Sequence, residues 1–434
     1  MKNYLISLCI FLTSCGSSVQ VGGLSSTPAV NYPCPTGTNV MKVTVNGSLC
    51  NASTMYINMP CVSVTICVSG SLVNCQTVNN ILLDTGSFGL RIFSSVVSLS
   101  LPNTITGDVA ECAEFGSGRT WGPVVQSDVY MTGIGNEPKA TVPIQLINSQ
   151  YEGGDSTLCA GSYVGPSEAG YNGILGVGLW NQDCGSGCTG ATPEPTYFAC
   201  NGSTCSKTTG GACSAAYPSI GYCGTAMPLT SQVSNPIPNI SSGPDTNGEV
   251  LLLPAVSNGG NISANGCMVI GVNTATGNNT PGAAVNVYQA NSSVEMTIRT
   301  SSPAVTNNQY SFIDSGSNAI YAPSNLGLTN CSGWYCPGNL TTVNMSLTSI
   351  NAGAVASSFL VINANGLFNT ANNAFNDLTG NITLNPSTDT AIDLGINYFY
   401  GRPIWVGVKN TTAVINGITY STGAGNNLNG YWAY

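Results

Sequence analysis

The chain has 434 residues, which is enough for two or three domains, and only 6% of them are charged, against about 25% in ordinary globular proteins. Its net charge of −9 and its pI near 4.2 argue against nucleic acid and anionic lipid as partners. Asn, Ser, Thr and Gly supply the polarity instead, and no run of about 18 apolar residues follows the N-terminal segment, so no transmembrane helix is expected.

The N-terminal segment, residues 1–14, resembles the signal peptide of a bacterial lipoprotein. A short start with one lysine is followed by the apolar residues 4–12 and then by Cys15. In that pattern Cys15 carries the lipid, and Gly16 in place of aspartate favours the outer membrane. The alternative is an ordinary cleaved signal with an incidental cysteine. We therefore expect a cell-envelope or secreted protein that touches the membrane only through its lipid anchor, with residues 15–45 as a tether.

Eighteen cysteines support export to an oxidising compartment. Without Cys9 in the signal and Cys15 at the anchor, 16 remain, which allows up to eight disulfides. A cysteine-rich insert, residues 180–225, also invites comparison with an all-thiolate zinc site. Its spacings lack a Cys-x-x-Cys pair, so we favour a surface loop held by crosslinks and expect no metal or cofactor. The sequence does not reveal the connectivity, although Cys184–Cys188 and Cys331–Cys336 are spaced to close small loops.

Strand patterns dominate the chain after residue 45. Residues 62–68 alternate apolar and polar side chains with the period of two that is typical of a half-buried strand. Short apolar runs predict further strands at 250–253, 268–272 and 404–408, and 52 glycines and 23 prolines punctuate the chain. Helical periodicity is scarce, with residues 359–362 as the one candidate. The sequence therefore predicts an all-β fold.

Two short stretches match each other, at residues 81–87 and 312–317. Each is an apolar strand that ends in an aspartate, a hydroxyl residue, a glycine and a second hydroxyl residue: Asp84-Thr85-Gly86-Ser87 in the first copy and Asp314-Ser315-Gly316-Ser317 in the second. The chain contains no histidine, which excludes the serine–histidine and cysteine–histidine mechanisms and leaves Asp84 and Asp314 as the best candidates for acid–base chemistry. Because both copies supply a carboxylate, they predict a dyad that activates water.

A longer repeat contains these two motifs. Asp84 is followed 92 residues later by Gly176, in an apolar-apolar-glycine run, and Asp314 is followed 81 residues later by Gly395 in a similar run. Each half therefore has an aspartate loop and a later glycine strand at comparable spacing, which predicts two related lobes. The predicted division is an N-terminal lobe at residues 46–275, which contains the cysteine-rich insert, and a C-terminal lobe at residues 276–434.

These residues resemble the pepsin-like aspartic proteases, over most of the chain beyond residue 45. The second motif resembles the family's pattern further, through Ile320 and Pro323. The resemblance implies an all-β, bilobal fold in which each lobe supplies one catalytic aspartate to a cleft between the lobes. Within bacteria, the chain also looks like an uncharacterised family of cysteine-rich secreted proteins that share this pattern.

The resemblance also implies roles for the residues beside Asp84 and Asp314. Gly86 and Gly316 allow tight turns that bring amide groups towards the carboxylates. The second hydroxyl residues, Ser87 and Ser317, are placed to hydrogen-bond the outer carboxylate oxygens. The first hydroxyl residues, Thr85 and Ser315, are expected to tie the two loops together beneath the dyad.

The sequence departs from the family at the flap, a hairpin that covers the cleft and normally carries a tyrosine followed by Gly-x-Gly. The nearest match is Phe115-Gly116-Ser117-Gly118, so the tyrosine hydroxyl is absent from the motif. Phe115, Gly116, Gly118 and Trp121 are the candidate flap and substrate-binding residues. Trp121 either replaces the missing aromatic contact or packs in the core.

Arg91 stands where the family commonly has a tryptophan that packs near the flap. We expect an exposed or ion-paired surface arginine. The functional alternative is that its charge lowers the pKa of the dyad or recognises an acidic substrate.

Two functions follow from these patterns. The first is an aspartic endopeptidase, a monomer without cofactor that cleaves a peptide or protein substrate. The second is an inactive pepsin-like protein that binds a peptide, a glycan or a partner protein, an interpretation suggested by the altered flap and the crosslinked insert. Glycosidases also use two carboxylates, but that class predicts no duplicated aspartate loops.

Overall fold

The computed structural model describes residues 32–104, 108–136, 139–153, 159–185, 197–202, 204–207, 227–274, 286–291, 296–302, 309–382, 391–415, 418–421 and 429–434. The predicted signal peptide at residues 1–14, the lipidation site Cys15, the first part of the tether and most of the cysteine-rich insert lie outside these residues. The assignments of these segments therefore remain predictions from the sequence.

Strands make up most of the regular structure in the described residues, beside two helices of about one turn, α1 (Pro166–Ala169) and α2 (Ala364–Phe368). The strands, in chain order, are β1 (Val40–Val45), β2 (Pro60–Cys67), β3 (Cys75–Asp84), β4 (Phe88–Phe93), β5 (Asp108–Phe115), β6 (Gly118–Tyr130), β7 (Ala140–Ile147), β8 (Gly173–Val177), β9 (Tyr197–Cys200), β10 (Cys205–Lys207), β11 (Gly248–Leu252), β12 (Ala264–Ile270), β13 (Val287–Gln289), β14 (Met296–Ser302), β15 (Gln309–Ile313), β16 (Ile320–Pro323), β17 (Asn330–Cys331), β18 (Trp334–Tyr335), β19 (Thr341–Ser349), β20 (Gly353–Val361), β21 (Thr379–Ile382), β22 (Ile392–Leu394), β23 (Pro403–Gly407), β24 (Thr412–Ile415), β25 (Ile418–Ser421) and β26 (Tyr431–Ala433).

Two large sheets carry one aspartate loop each. The larger has 15 strands in the order β10-β9-β5-β6-β7-β4-β8-β3-β2-β1-β12-β11-β23-β26-β13, and the smaller has nine in the order β17-β18-β21-β16-β22-β15-β14-β19-β20. The predicted all-β, two-lobed fold is confirmed. The larger sheet takes β13, β23 and β26 from beyond residue 276, so its strands come from both sides of the predicted lobe boundary.

The same local topology surrounds both aspartates. In the first lobe, β8 lies between β3, with which it is parallel, and β4, with which it is antiparallel. In the second lobe, β22 lies in the same way between β15 and β16. The apolar-glycine runs that follow each motif in the sequence therefore sit directly beside the strand that delivers the aspartate. A side chain at Gly395 has no room, because a Cβ there would lie 2.0 Å from the carbonyl oxygen of Ala319.

The alternating and apolar runs of the sequence form the expected strands. Residues 62–68 fall largely in β2, and the runs at 250–253, 268–272 and 404–408 fall largely in β11, β12 and β23. The helix candidate at residues 359–362 is wrong, because most of it belongs to β20, which pairs along its whole length with β19. Its consecutive apolar residues reflect a partly covered strand rather than a helical face. Among the described helices, none has the length and apolarity required to cross a membrane.

Disulfides link several of these elements. The six bridges between described residues are Cys34–Cys267, Cys50–Cys61, Cys67–Cys75, Cys112–Cys159, Cys200–Cys205 and Cys331–Cys336. The small loop predicted at Cys331–Cys336 is confirmed, whereas the predicted Cys184–Cys188 pair involves a residue outside the described part of the chain. Bridges in this number are consistent with a secreted or otherwise extracytoplasmic protein.

Candidate active site

The first aspartate loop holds the Asp84 carboxylate by its own backbone and hydroxyl. Strand β3 ends at Asp84, and the chain then turns so that the Gly86 amide donates to Asp84 Oδ1 at 2.8 Å. The Ser87 hydroxyl donates to the other carboxylate oxygen, Oδ2. Asp84 is only 6% exposed, so these bonds replace much of the hydration that the carboxylate would have in water.

The second loop repeats this arrangement around Asp314. The Gly316 amide donates to Asp314 Oδ1 at 2.7 Å, and the Ser317 hydroxyl donates to Asp314 Oδ2 at 2.8 Å. The contacts predicted for the two glycines and the two outer serines are therefore present in the structure. The two carboxylates occupy equivalent positions, each with one oxygen bound to an amide and the other to a serine.

Crossed hydrogen bonds join the two loops beneath the carboxylates. The Thr85 amide donates to Ser315 Oγ at 3.0 Å, and the Ser315 amide donates to Thr85 Oγ1 at 2.9 Å. Each hydroxyl then donates to a strand of the opposite lobe, Thr85 to the Ile313 carbonyl at 3.2 Å and Ser315 to the Leu83 carbonyl at 2.8 Å. Because both hydroxyl groups are saturated and buried, the relative position of the two loops is closely constrained.

Each motif glycine leaves room for the carboxyl group of the opposite loop. A Cβ on Gly86 would lie 2.5 Å from Asp314 Cγ, and a Cβ on Gly316 would lie 2.6 Å from Asp84 Oδ1. These distances are well inside van der Waals contact, so any side chain at either position would push the carboxyl groups apart. The two glycines therefore allow the carboxyl groups to come close together, in addition to allowing the tight turns.

The pKa of Asp84 is raised well above its ordinary value. Burial is the largest cause, followed by the negative charge of Asp314 and a hydrogen bond between the two carboxyl groups, whereas the bonds from Ser87 and Gly86 act in the opposite direction. Two carboxyl groups this close repel each other when both are ionised, so loss of the second proton is unfavourable. The geometry thus favours a pair that holds one shared proton and titrates as a unit.

The hairpin predicted to be the flap, formed by β5 and β6 with its tip at residues 115–118, is joined to a neighbouring loop. The hydroxyl of Tyr163 donates to the Ser117 carbonyl at 2.8 Å, and the Tyr163 amide donates to the Arg119 carbonyl at 3.0 Å. The Cys112–Cys159 disulfide joins β5 to the same loop. A tyrosine hydroxyl therefore does reach the flap, but from residue 163, which the sequence analysis did not identify because nothing near the flap motif indicates it.

Phe115, Gly116 and Gly118 lie at the tip of this hairpin. Phe115 is half-buried, Gly116 is exposed with no atom within 4 Å of a Cβ placed on it, and a Cβ on Gly118 would lie 2.7 Å from the Tyr163 ring. The backbone of the tip is therefore free of neighbouring atoms at Gly116 and packed against the Tyr163 ring at Gly118.

Trp121 is a core residue and not a substrate contact. Its side chain has no exposed surface, its ring packs edge-on against Phe198 with 5.2 Å between centroids, and its indole nitrogen donates to the Tyr151 carbonyl at 3.0 Å. The expectation that it binds substrate is therefore wrong for this structure, and the core interpretation is correct. Phe198 of strand β9 covers the ring of Trp121, and no pattern near Trp121 in the sequence indicates that β9 lies there.

Arg91 is also buried, so the expectation of a surface arginine is wrong although the ion pairing is present. Its guanidinium lies 2.5 Å (Nη2) and 3.2 Å (Nε) from the oxygens of Glu111 on β5, and Nη2 lies 3.2 Å from Asp183 at the start of the insert. It also lies 5.4 Å from the centroid of the Phe115 ring. Arg91 is only 2% exposed, so it has no free surface with which to recognise a substrate.

The charges of this buried cluster balance if Asp183 is protonated. Burial and the neighbouring charge of Glu111 raise the pKa of Asp183 well above its usual range, while Arg91 and a hydrogen bond from Tyr197 act in the opposite direction. With Asp183 neutral, one guanidinium faces one carboxylate. The cluster joins the strand after the first aspartate loop, the flap and the insert.

Tyrosines that the sequence analysis did not identify surround the dyad. Burial raises the pKa of Tyr56, and the neighbouring Tyr163 and then Asp84 add to the effect, as does Asp314 to a smaller extent. The hydroxyl of Tyr321 donates to Asn318 Oδ1 at 2.6 Å just after the second motif. These two side chains come from distant parts of the chain that share no sequence pattern.

No described cluster is suited to a metal ion. Among the described residues, Glu152, Cys200 and Cys205 are the group of acidic and thiol side chains that lie close enough together. Cys200 and Cys205 form a disulfide, so neither sulfur is a thiolate that could bind a metal.

Residues 35–422 match a protein family described as "Protein of unknown function (DUF3443)", and the chain belongs to that family. No curated protein matches it. Among solved structures, it is similar to the crystal structure of an aspartic proteinase from Irpex lacteus, with 13% sequence identity, a TM-score of 0.47, and coverage of 91% of this chain and 96% of the other. The family description names no activity, so the chemistry has to be argued from the geometry of the two aspartate loops.

Proposed function

We propose that this protein is an aspartic endopeptidase. The observation that carries the proposal is the approach of two carboxyl groups from symmetric loops, each against the glycine of the other. Such a pair is expensive to assemble, because like charges repel and burial removes hydration. The crossed hydrogen bonds between Thr85 and Ser315 hold the two carboxyl groups together against this repulsion.

The chemistry that suits this pair is attack of water on a peptide carbonyl. The ionised carboxylate accepts a proton from the water as the oxygen bonds to the carbonyl carbon, and the protonated carboxyl donates to the carbonyl oxygen. A tetrahedral intermediate forms, the carbon–nitrogen bond then breaks, and the amine leaves with a proton from the pair. Because the two carboxyl groups titrate as a unit, neither Asp84 nor Asp314 is assigned the acid or the base role.

The substrate we propose is an extended peptide that lies between the dyad and the flap tip. The exposed backbone at Gly116 is free of side-chain crowding and is suited to hydrogen-bond a peptide. No cofactor is required by this reaction, and we propose that the protein works as a monomer.

For the location, we propose that residues 1–14 are cleaved and that Cys15 carries a lipid, which places the enzyme in the cell envelope. The six disulfides between described residues support export. Labelling with a fatty-acid analogue tests the anchor: the native chain should incorporate label and Cys15→Ser should not. Label retained in Cys15→Ser refutes the assignment.

The test of activity is cleavage of a peptide library from acid to neutral pH by the purified, disulfide-bonded protein. Asp84→Asn and Asp314→Asn should each abolish cleavage, whereas Asp108→Asn, a change at an aspartate whose hydrogen bond to Asn103 is exposed, should not. If the native protein cleaves nothing but binds peptides through the cleft, the alternative of an inactive binding protein replaces the proposal. Cleavage that survives both dyad substitutions also refutes it.

A further inference from the structure

Asn58 joins the two lobes, in addition to the crossed hydrogen bonds of the aspartate loops. It lies just before β2 of the larger sheet and is fully buried. Its side-chain nitrogen donates to the Asn318 carbonyl and to the Phe375 carbonyl, both at 2.9 Å. Asn318 and Phe375 belong to the part of the chain that forms the smaller sheet, so one side chain of the first lobe holds two backbone groups of the second.

Every hydrogen-bonding position of the Asn58 side chain is filled. Besides the two bonds that its nitrogen donates, its Oδ1 accepts from the Phe375 amide at 2.7 Å and from the Tyr400 hydroxyl at 3.0 Å. The backbone of Asn58 has a φ of 60°, in the left-handed region that residues other than glycine rarely adopt. Because the network is buried and saturated, it holds the groups that it joins in one arrangement.

The Asn58 contact reaches the turn that carries Asp314. Asn318 directly follows Ser317, whose hydroxyl donates to Asp314 Oδ2 at 2.8 Å. Two successive carbonyls of this turn are held from opposite lobes, that of Ser317 by the Ile396 amide at 2.8 Å and that of Asn318 by Asn58. Asn58 therefore attaches the end of the turn to the first lobe.

This attachment complements the crossed hydrogen bonds beneath the dyad. Ser315 is tied to Thr85 of the first lobe at the start of the turn, and Asn318 is tied to Asn58 at its end. With the first attachment alone, the turn would be free to rotate about Ser315 and to change the direction of the Asp314 carboxyl group. Two attachments fix the orientation of the turn relative to the first aspartate loop.

We propose that Asn58 is a positioning residue that sets the orientation of the Asp314 carboxyl group relative to Asp84. The proposal rests on the proposed endopeptidase function. Asn58 acts on the dyad through the Asn318 carbonyl and the turn before it, and takes no part in proton transfer. A displacement of about 1 Å between reacting groups costs about a hundredfold in rate, so partial loss of this alignment should lower kcat more than it changes KM.

The test compares Asn58→Gly with the matched control Asn80→Gly in the peptide assay. Both asparagines are buried, with φ values of 60° and 58° that glycine adopts without strain, so each change removes only the side chain. The Asn80 side chain accepts from the Asn51 amide and donates to the Gly170 carbonyl, and both partners lie in the first lobe. Asn58→Gly should lower kcat about tenfold with a smaller change in KM, whereas Asn80→Gly should leave both constants within about twofold.

Rates are expressed per folded molecule, from thermal melts of each variant, so that a loss of stability alone does not lower kcat. Asn58→Asp keeps the size of the side chain and removes its two N–H donors, so it should lower kcat in the same way, and it replaces Asn58→Gly if that variant does not fold. An unchanged kcat in the folded Asn58 variant, or an equal loss in Asn80→Gly, overturns the proposal, while the cleavage itself leaves the endopeptidase function standing.

Crystal structures of the native protein and of the two glycine variants test the positioning without any cleavage. The separation of the Asp84 and Asp314 carboxyl groups should change by more than about 0.5 Å in Asn58→Gly and stay the same in Asn80→Gly. If the native protein cleaves nothing, the endopeptidase function fails, and this comparison still decides whether Asn58 orients the second aspartate. An unchanged separation in Asn58→Gly overturns the positioning role.

Discussion

Replacing Arg91 with methionine tests the buried charge cluster that ties the flap to the first aspartate loop. The Arg91 and Glu111 side chains are 3% and 0% exposed, and their closest atoms are 2.5 Å apart. Methionine fills part of the space of the arginine stem but leaves the Glu111 carboxylate buried without its cation. Breaking a buried ion pair in this way destabilises a protein by about 3–5 kcal/mol, chiefly because the remaining charge is uncompensated.

The chain offers a matched control, a second arginine whose glutamate partner also lies on β5. Arg119 pairs with Glu114 at 2.9 Å, but these side chains are 26% and 32% exposed. Water therefore screens this pair, and such pairs contribute about 0–1 kcal/mol. Arg119→Met should lower the free energy of unfolding by no more than that, although both arginines bind glutamates of β5.

The assay is denaturation of the oxidised protein with guanidinium chloride, followed by tryptophan fluorescence. The double variant Arg91→Met/Glu111→Leu should recover most of the loss, because it removes the stranded carboxylate as well. The reasoning is refuted if Arg91→Met is no more destabilising than Arg119→Met. It is equally refuted if the double variant is less stable than Arg91→Met alone.

Three further changes probe other parts of the structure. Gly86→Ala should reduce kcat in the peptide assay by about a hundredfold, because the new Cβ would lie 2.5 Å from Asp314 Cγ and displace the dyad. The control Gly338→Ala should leave kcat unchanged, because no atom lies within 4 Å of a Cβ at that position. Equal rates in the two variants contradict this reasoning. Glu249 is fully buried, neither of its carboxyl oxygens has a hydrogen-bond partner, and burial raises its pKa well above 4.5. The stability of the native protein should therefore fall as the pH rises above 4.5. In thermal melts Glu249→Met should be more stable than the native chain at pH 7 and less sensitive to pH, and an unchanged pH dependence contradicts this prediction. Tyr163→Phe removes the hydroxyl that hydrogen-bonds to the flap tip, and it should raise KM a few-fold with a smaller effect on kcat. A loss of kcat with an unchanged KM would instead indicate that Tyr163 takes part in the chemical step.

Much of the dyad could be predicted from the sequence because its contacts are local. A strand that ends in aspartate, followed by a hydroxyl residue, glycine and serine, forms its amide and hydroxyl bonds within three residues of the aspartate. The β class was equally predictable, since the period of two and the short apolar runs act within a single strand. The apolar runs that end in Gly176 and Gly395 indicated the repeat, because they follow Asp84 and Asp314 at similar distances along the sequence.

The sequence by itself therefore determined the fold class, the two aspartate loops and their equivalence. Only the tertiary structure decided which side chains meet across long separations: Tyr163 at the flap tip, and Arg91 buried against Glu111. Burial is a property of what covers a strand, and neither Arg91 nor Trp121 has a neighbour in the sequence that reveals its cover. Local patterns encode hydrogen bonds over a few residues, whereas strand pairing and register set the environment, and with it the charge state, of each ionisable group.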